Sequence, residues 1–189
     1  MTQLFLVRHG ETEWSAVGRH TSVTDLDLTA NGVAGAELLR GRLDPADFGL
    51  VLCSPRLRAR RTAELAGFGD AIEICDDLVE WNYGSYEGRT GVEIRAERPG
   101  WAIWTGNPPG GETAEQVTER LNRVIDRALA SGVDRVLLFG HGHSLRALTL
   151  CWLGLPFSVG DQFPLETATV SVLGHYKDGR AMIRWNAEP

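Results

Sequence analysis

Three short apolar runs in this chain end in polar groups that a buried strand does not need. Leu4–Val7 runs into Arg8-His9-Gly10, Leu50–Cys53 into Ser54-Pro55 with Arg58 just beyond, and Val136–Phe139 into Gly140-His141-Gly142. Open α/β sheets bind ligands beyond the carboxyl ends of their strands. If these runs are neighbouring strands, two histidines and two arginines converge in one crevice. That set suits a phosphate or phosphate ester, whose charge and planar oxygen faces match a guanidinium fork. Two arginines would neutralise it without a metal. Helix N-termini after Ser54 and after Gly142 would add backbone N–H groups. The glycines beside His9 and His141 let the chain turn sharply and let phosphate approach the backbone.

A neutral imidazole in that position is a competent nucleophile near neutral pH. Attack on phosphorus would give a phosphohistidine, and the departing alcohol would then need a proton from the opposite side. The candidate acid is Glu80, in the turn-rich stretch Glu80-Trp81-Asn82-Tyr83-Gly84. With Glu80 protonated as acid and His9 neutral as nucleophile, the rate should peak on the acid side of neutral.

Competing readings stand beside these. Taken alone, His9 would be a core histidine at a strand end. His141 and His143 are spaced like a metal pair, but no carboxylate or cysteine cluster joins them, so no metal site or cofactor is expected. His143 either touches substrate or caps its helix. Thr21 and Ser22 either line a phosphate pocket or form a turn. Cysteine phosphatase chemistry needs an arginine six positions after the cysteine, and after Cys53 that position is Ala59. His20 and His175 read as surface residues, Trp101 and Trp104 as packing residues, and Arg56, Arg60 and Arg61 as a solvated helix face.

The elements that must position these groups alternate between short strands and longer amphipathic helices, the pattern of an α/β fold with a mostly parallel sheet. Thr29 predicts an N-cap for a helix to about Leu43 with Ala34, Leu38 and Leu39 inward. Ser54-Pro55 predicts a cap followed by proline at the first helical position, in a helix ending at Leu65 before Gly67. Ile72–Cys75 is a third strand. Thr90 with Glu93, and Thr113 with Gln116, predict capping boxes, the second opening a long helix to Ser131 before Gly132. A further helix begins near Ser144. Thr169–Leu173 and Met182–Trp185 flank an Asp178-Gly179 turn and predict a hairpin. The Pro-, Gly- and Trp-rich segment from Trp101 to Gly111 reads as a loop over the domain.

The 189 residues suffice for one domain, taken as 1–189, with 43% hydrophobic and 23% charged residues, so no staples are needed. The net charge of -6 argues against nucleic acid as a partner. No apolar run reaches membrane length, and the N-terminal one is too short for a signal peptide, so a cytoplasmic protein with no membrane partner is expected. Cys53, Cys75 and Cys151 read as buried free thiols in a reducing compartment.

Four motifs carry a family resemblance. Leu6-Val7-Arg8-His9-Gly10-Glu11, Ser54-Pro55-Arg56-Leu57-Arg58-Ala59 with Thr62-Ala63, Glu80 with Tyr83-Gly84 and Glu87-Gly88, and Gly140-His141-Gly142 follow one another in order. This set resembles the histidine phosphatase, or phosphoglycerate mutase-like, superfamily. The resemblance implies a three-layer α/β/α sandwich, catalysis without a metal, and phosphorylation of His9. Arg8, Arg58 and His141 would hold the phosphoryl group, and Glu80 would be the acid. Substrate contacts are then expected from Arg8, Ser15, Thr21, Ser22, Arg58, Tyr83, Gly142 and His143. The asparagine usual after the first motif's tryptophan is Ser15 here, which replaces an amide with a hydroxyl. Gly18-Arg19-His20-Thr21 leading to Thr24-Asp25-Leu26 is similar to small acid phosphatases and sugar-bisphosphate phosphatases. The basic insertion of the cofactor-dependent mutases is missing, so hydrolysis of a small phosphorylated substrate is favoured over phosphoglycerate mutase activity or a silent phosphate-ester sensor. The family also leaves a homodimer open.

Overall fold

A computed structural model of the chain describes residues 1–188. Its sheet has six strands in the order β3-β2-β4-β1-β5-β6. They are β1 (Gln3–Arg8), β2 (Leu50–Cys53), β3 (Glu73–Ile74), β4 (Arg135–Gly140), β5 (Val170–Tyr176) and β6 (Gly179–Ala187). β3, β2, β4 and β1 run parallel, and β5 and β6 add an antiparallel hairpin against β1. The hairpin matches the expected turn but is longer than the sequence pattern suggested. β3 shrinks to two exposed residues, because at the sheet edge few ladder bonds and little burial extend it.

Side chains alternate across a strand, and that alternation builds two cores. Leu4, Leu6, Val136 and Leu138 face one side, under α5 (Ala114–Ala130) and α6 (Gly142–Leu153). Val7, Val51, Leu137 and Phe139 face the other, under α2 (Ala30–Leu39) and α3 (Leu57–Leu65). The result is the α/β/α sandwich. Two short helices, α1 (Glu13–Ala16) and α4 (Gly91–Glu97), lie in the connections.

The caps at Thr29, Thr90 and Thr113 all form. Two local readings change. In α2 the inward face is Gly32, Ala36 and Leu39, while Ala34 and Leu38 are exposed, because the helix ends at Leu39 and turns a different stripe to the sheet. Helix α3 starts at Leu57, not after Ser54. Its Leu57 N–H is capped by Asp25 Oδ1 at 2.8 Å, and Ser54 instead accepts from His141. Trp101 and Trp104 are buried as packing residues. No helix among the described residues is long and apolar enough to cross a membrane.

Candidate active site

The sheet order explains the site. β1, β4 and β2 are adjacent and parallel, so their carboxyl ends deliver His9, His141 and Ser54 side by side. The His9 N–H donates to Gly140 O at 3.0 Å, and the Ser54 N–H to Phe139 O at 3.0 Å. The rings of His9 and His141 stand 5.2 Å apart.

The tautomer of His9 follows from its neighbour. A backbone carbonyl only accepts, so Nδ1 must donate to Gly10 O at 2.7 Å. Burial, reinforced by Arg58 and Arg8, holds the His9 pKa well below its ordinary value. The ring is therefore neutral, and Nε2 carries a lone pair. Gly10 is fixed in turn: its N–H donates to Thr62 Oγ1 at 2.8 Å, and a Cβ there would lie 2.5 Å from Gly32 O.

His141 is wholly buried and tied on both nitrogens. Arg58 Nε donates to its Nδ1 at 3.2 Å, so Nε2 bears the proton and donates to Ser54 Oγ at 2.7 Å. Burial and then Arg58 push its pKa well down. Arg58, also fully buried, donates to Thr24 O at 3.1 Å and Thr21 O at 3.0 Å. Arg8 donates to Leu165 O, and its guanidinium passes over Gly142, where a Cβ would lie 3.4 Å away.

Glu80 faces the same cavity, about 150 Å³ in volume, which is also lined by Arg8, His9, Tyr83 and His143. Its Oε1 accepts from Ser144 N at 2.7 Å and Trp81 N at 2.9 Å, and its Oε2 from His143 N at 3.0 Å. The N–H groups at the start of α6, expected to bind phosphate directly, thus bind the carboxylate. Tyr83, whose pKa burial and Glu80 push well up, keeps its phenolic proton and shares a hydrogen bond of 2.6 Å with His143 Nδ1. His143 therefore lies in the pocket wall as a neutral ring, its pKa held well down by burial and then Arg146.

The remaining expected contacts divide. Thr21 and Gly142 line the cavity. Ser15 lines it too, but its hydroxyl accepts from Thr12 N at 2.8 Å and donates to Thr12 O at 3.1 Å, within the cap of α1. Ser22 does not line the cavity. Its hydroxyl donates to Glu87 Oε2 at 2.5 Å and accepts from Tyr83 N at 3.3 Å, a structural tie between two loops. His20, read as a surface residue, lines the cavity with its ring 4.7 Å from that of Tyr83.

Sequence reasoning also passed over Arg19 and Arg146 in the pocket wall, and Glu112 and Arg120 behind it. Arg120 clasps Glu112 through Nε at 2.7 Å and Nη2 at 3.0 Å, and donates to Asp77 O and Val79 O. Glu112 accepts from Asn82 N at 2.8 Å, so the pair grips the chain on both sides of Glu80. The Glu112–Arg120 spacing across a helix start was a readable signal. Arg146 offered none, since an arginine within an amphipathic helix reads as solvated. Among the described residues no three His, Cys, Asp or Glu side chains group as metal ligands.

Known proteins resemble this chain in sequence and fold. The chain is 43% identical over 176 residues to an acid phosphatase of Mycobacterium tuberculosis, covering 91% of this chain and 86% of that protein. It is 37% identical to sedoheptulose 1,7-bisphosphatase of Saccharomyces cerevisiae, over 79% of this chain and 67% of that one. The solved structure of an open reading frame product from Mycobacterium tuberculosis superposes with a TM-score of 0.94 at 38% identity, covering 99% of this chain and 98% of its own. The family model described as the histidine phosphatase superfamily (branch 1) matches residues 4–188. With the two histidines, the arginines and the glutamate gathered at the ends of β1 and β4, the chain belongs to that superfamily.

Proposed function

We propose that the protein is a metal-independent phosphomonoesterase that hydrolyses small phosphate esters through a phosphohistidine on His9. Membership of the superfamily and relatives named as phosphatases support phosphatase activity. The observation that carries the finer reading is the His9 Nδ1 hydrogen bond to Gly10 O, which leaves Nε2 as a lone pair in a pocket with Arg8 and Glu80.

In the first step Nε2 attacks phosphorus as the bond to the alcohol oxygen breaks. Glu80 gives that oxygen its proton. The imidazole gains positive charge, which the Gly10 carbonyl stabilises at Nδ1–H. Arg8 and Arg58 meet the charge on the equatorial oxygens. In the second step water attacks phosphorus, the P–N bond breaks, and Glu80 takes the proton from water. His9 returns to its starting tautomer. The reaction belongs in the cytoplasm, where the free thiols Cys53, Cys75 and Cys151 would stay reduced.

The test is phosphate release from a panel of monoesters with a chelator present. The wild type should turn over, and His9→Ala, checked for folding by circular dichroism, should lose at least about a thousandfold. Full activity in His9→Ala would refute the nucleophile. Isomerisation dependent on a bisphosphate, with no phosphate release, would replace hydrolysis with mutase chemistry.

A further inference from the structure

Arg58 is a buried cation that hydrogen-bonds to no carboxylate. Its Nε is engaged with His141 Nδ1, and its other bonds go to the carbonyls of one loop. Nη1 donates to Thr24 O at 3.1 Å, and Nη2 to Thr21 O at 3.0 Å and Ser22 O at 3.4 Å. A guanidinium taken out of water among neutral acceptors carries a desolvation penalty that the surrounding dipoles must offset. Nη1 keeps a second N–H for a phosphoryl oxygen.

The offset comes from behind the loop. Glu87 is half-buried, and both of its oxygens serve that same loop. Oε1 accepts from Ser22 N at 2.9 Å and Thr24 N at 3.0 Å, and Oε2 from Ser22 N at 2.9 Å and Ser22 Oγ at 2.5 Å. None of these partners is a cation. Burial pushes the Glu87 pKa up, but the bonds from Ser22 and Thr24 outweigh it and hold the pKa below its ordinary value, so the carboxylate is ionised. The Ser22 N–H and the Thr21 carbonyl belong to one peptide unit. A trans peptide points these two groups in opposite directions. Here the N–H meets Glu87 and the carbonyl meets Arg58. Carboxylate, peptide and guanidinium stand in series, each hydrogen bond polarising the next. The unit joining Val23 and Thr24 repeats the pattern, with its N–H on Glu87 and Val23 O on Arg56 Nη1 at 3.3 Å. Asp25 Oδ1 then fixes the end of the loop to Leu57 N at 2.8 Å, one residue before Arg58.

We propose that Glu87 is a positioning residue for the reaction: its charge, carried through the Thr21–Ser22 peptide, holds the Arg58 guanidinium in the orientation that binds the phosphoryl group. The inference rests on the role of Arg58 in the phosphomonoesterase reading. If Glu87 merely tied two loops together, its loss would lower stability without acting through Arg58.

The test is the affinity for inorganic phosphate by titration calorimetry, whose Kd does not depend on the fraction of folded protein. Glu87→Gln keeps the size of the side chain and one acceptor but removes the charge. It should weaken phosphate binding about tenfold, the low end for a charged hydrogen bond because the effect is relayed. Glu87→Asp keeps the charge on a shorter arm and should lose less than Glu87→Gln. Arg58→Lys removes the fork and weakens binding by itself. In that background Glu87→Gln should change the affinity less than about twofold, because the two residues act as one unit. Where Glu87→Gln does not fold, Glu87→Asp carries the same comparison across the two backgrounds. Unchanged affinity in Glu87→Gln, an equal loss in Glu87→Asp, or a second tenfold loss in the Arg58→Lys background overturns the positioning role and leaves the phosphomonoesterase reading intact. Ester turnover is run alongside: a wild type that binds phosphate but releases none from any ester removes that reading instead, and one that binds no phosphate removes both.

Discussion

Lowering the pH from 7.5 to 5.5 should destabilise this protein through its buried histidines. His9 and His141 are buried and His143 is half-buried, and desolvation is the first cause holding each pKa well below 6.5. In the unfolded chain each takes up a proton as the pH falls through its ordinary value, while in the folded state it does not. The unfolded state then binds more protons, so stability is fully present above that value and is lost as the pH falls below it. A histidine that stays neutral down to pH 5.5 costs about 1.4 kcal/mol there, and three cost about 4 kcal/mol. For a chain of this size that lowers Tm by roughly 8–16 °C. The assay is thermal unfolding in phosphate-free buffers, since a bound anion would stabilise the pocket. His143→Gln should remove about a third of the drop. A Tm that moves by less than about 3 °C between the two pH values would refute the claim that the site is built from neutral imidazoles.

Three further outcomes follow from the packing. Arg120→Met leaves Glu112 and two backbone carbonyls without their partner; loss of one member of a buried pair costs about 3 kcal/mol or more, read as Tm, and kcat should fall as the Glu80 loop loosens. An unchanged kcat would show that the pair does not position Glu80. In Gly32→Ala the new Cβ would lie 2.1 Å from Glu11 O, so the loop after His9 must shift. A loss of about 1–3 kcal/mol with a drop in kcat is expected, and wild-type values for both would contradict the contact. Burial pushes the Cys53 thiol up to about 12, so native protein at pH 8 should resist alkylation there until it is denatured, as followed by mass spectrometry of the labelled peptide.

The sequence by itself determined the strands of both cores, the three threonine caps, and the polar residues at the strand ends. Each of these is local: period-2 alternation, a cap with its partner three residues on, an apolar run ending in Arg8-His9 or Gly140-His141. It also carried the motif order that marks the family. What it did not determine depends on groups far apart in the chain meeting in space. Ser54 reads locally as a helix cap, yet it serves His141, 87 residues away. The α6 N-terminus reads locally as a phosphate site, yet Glu80, 63 and 64 residues before its partners, occupies those N–H groups. Ser22 and Ser15 keep hydroxyls that chemistry could use, but the fold commits both to backbone and loop ties. Arg146 carries no local signal, and contacts with Trp104 and Gly160 place it at the pocket wall. Local pattern fixes what each segment becomes. Only tertiary packing decides which donors and acceptors are already satisfied, and therefore which remain free for a ligand.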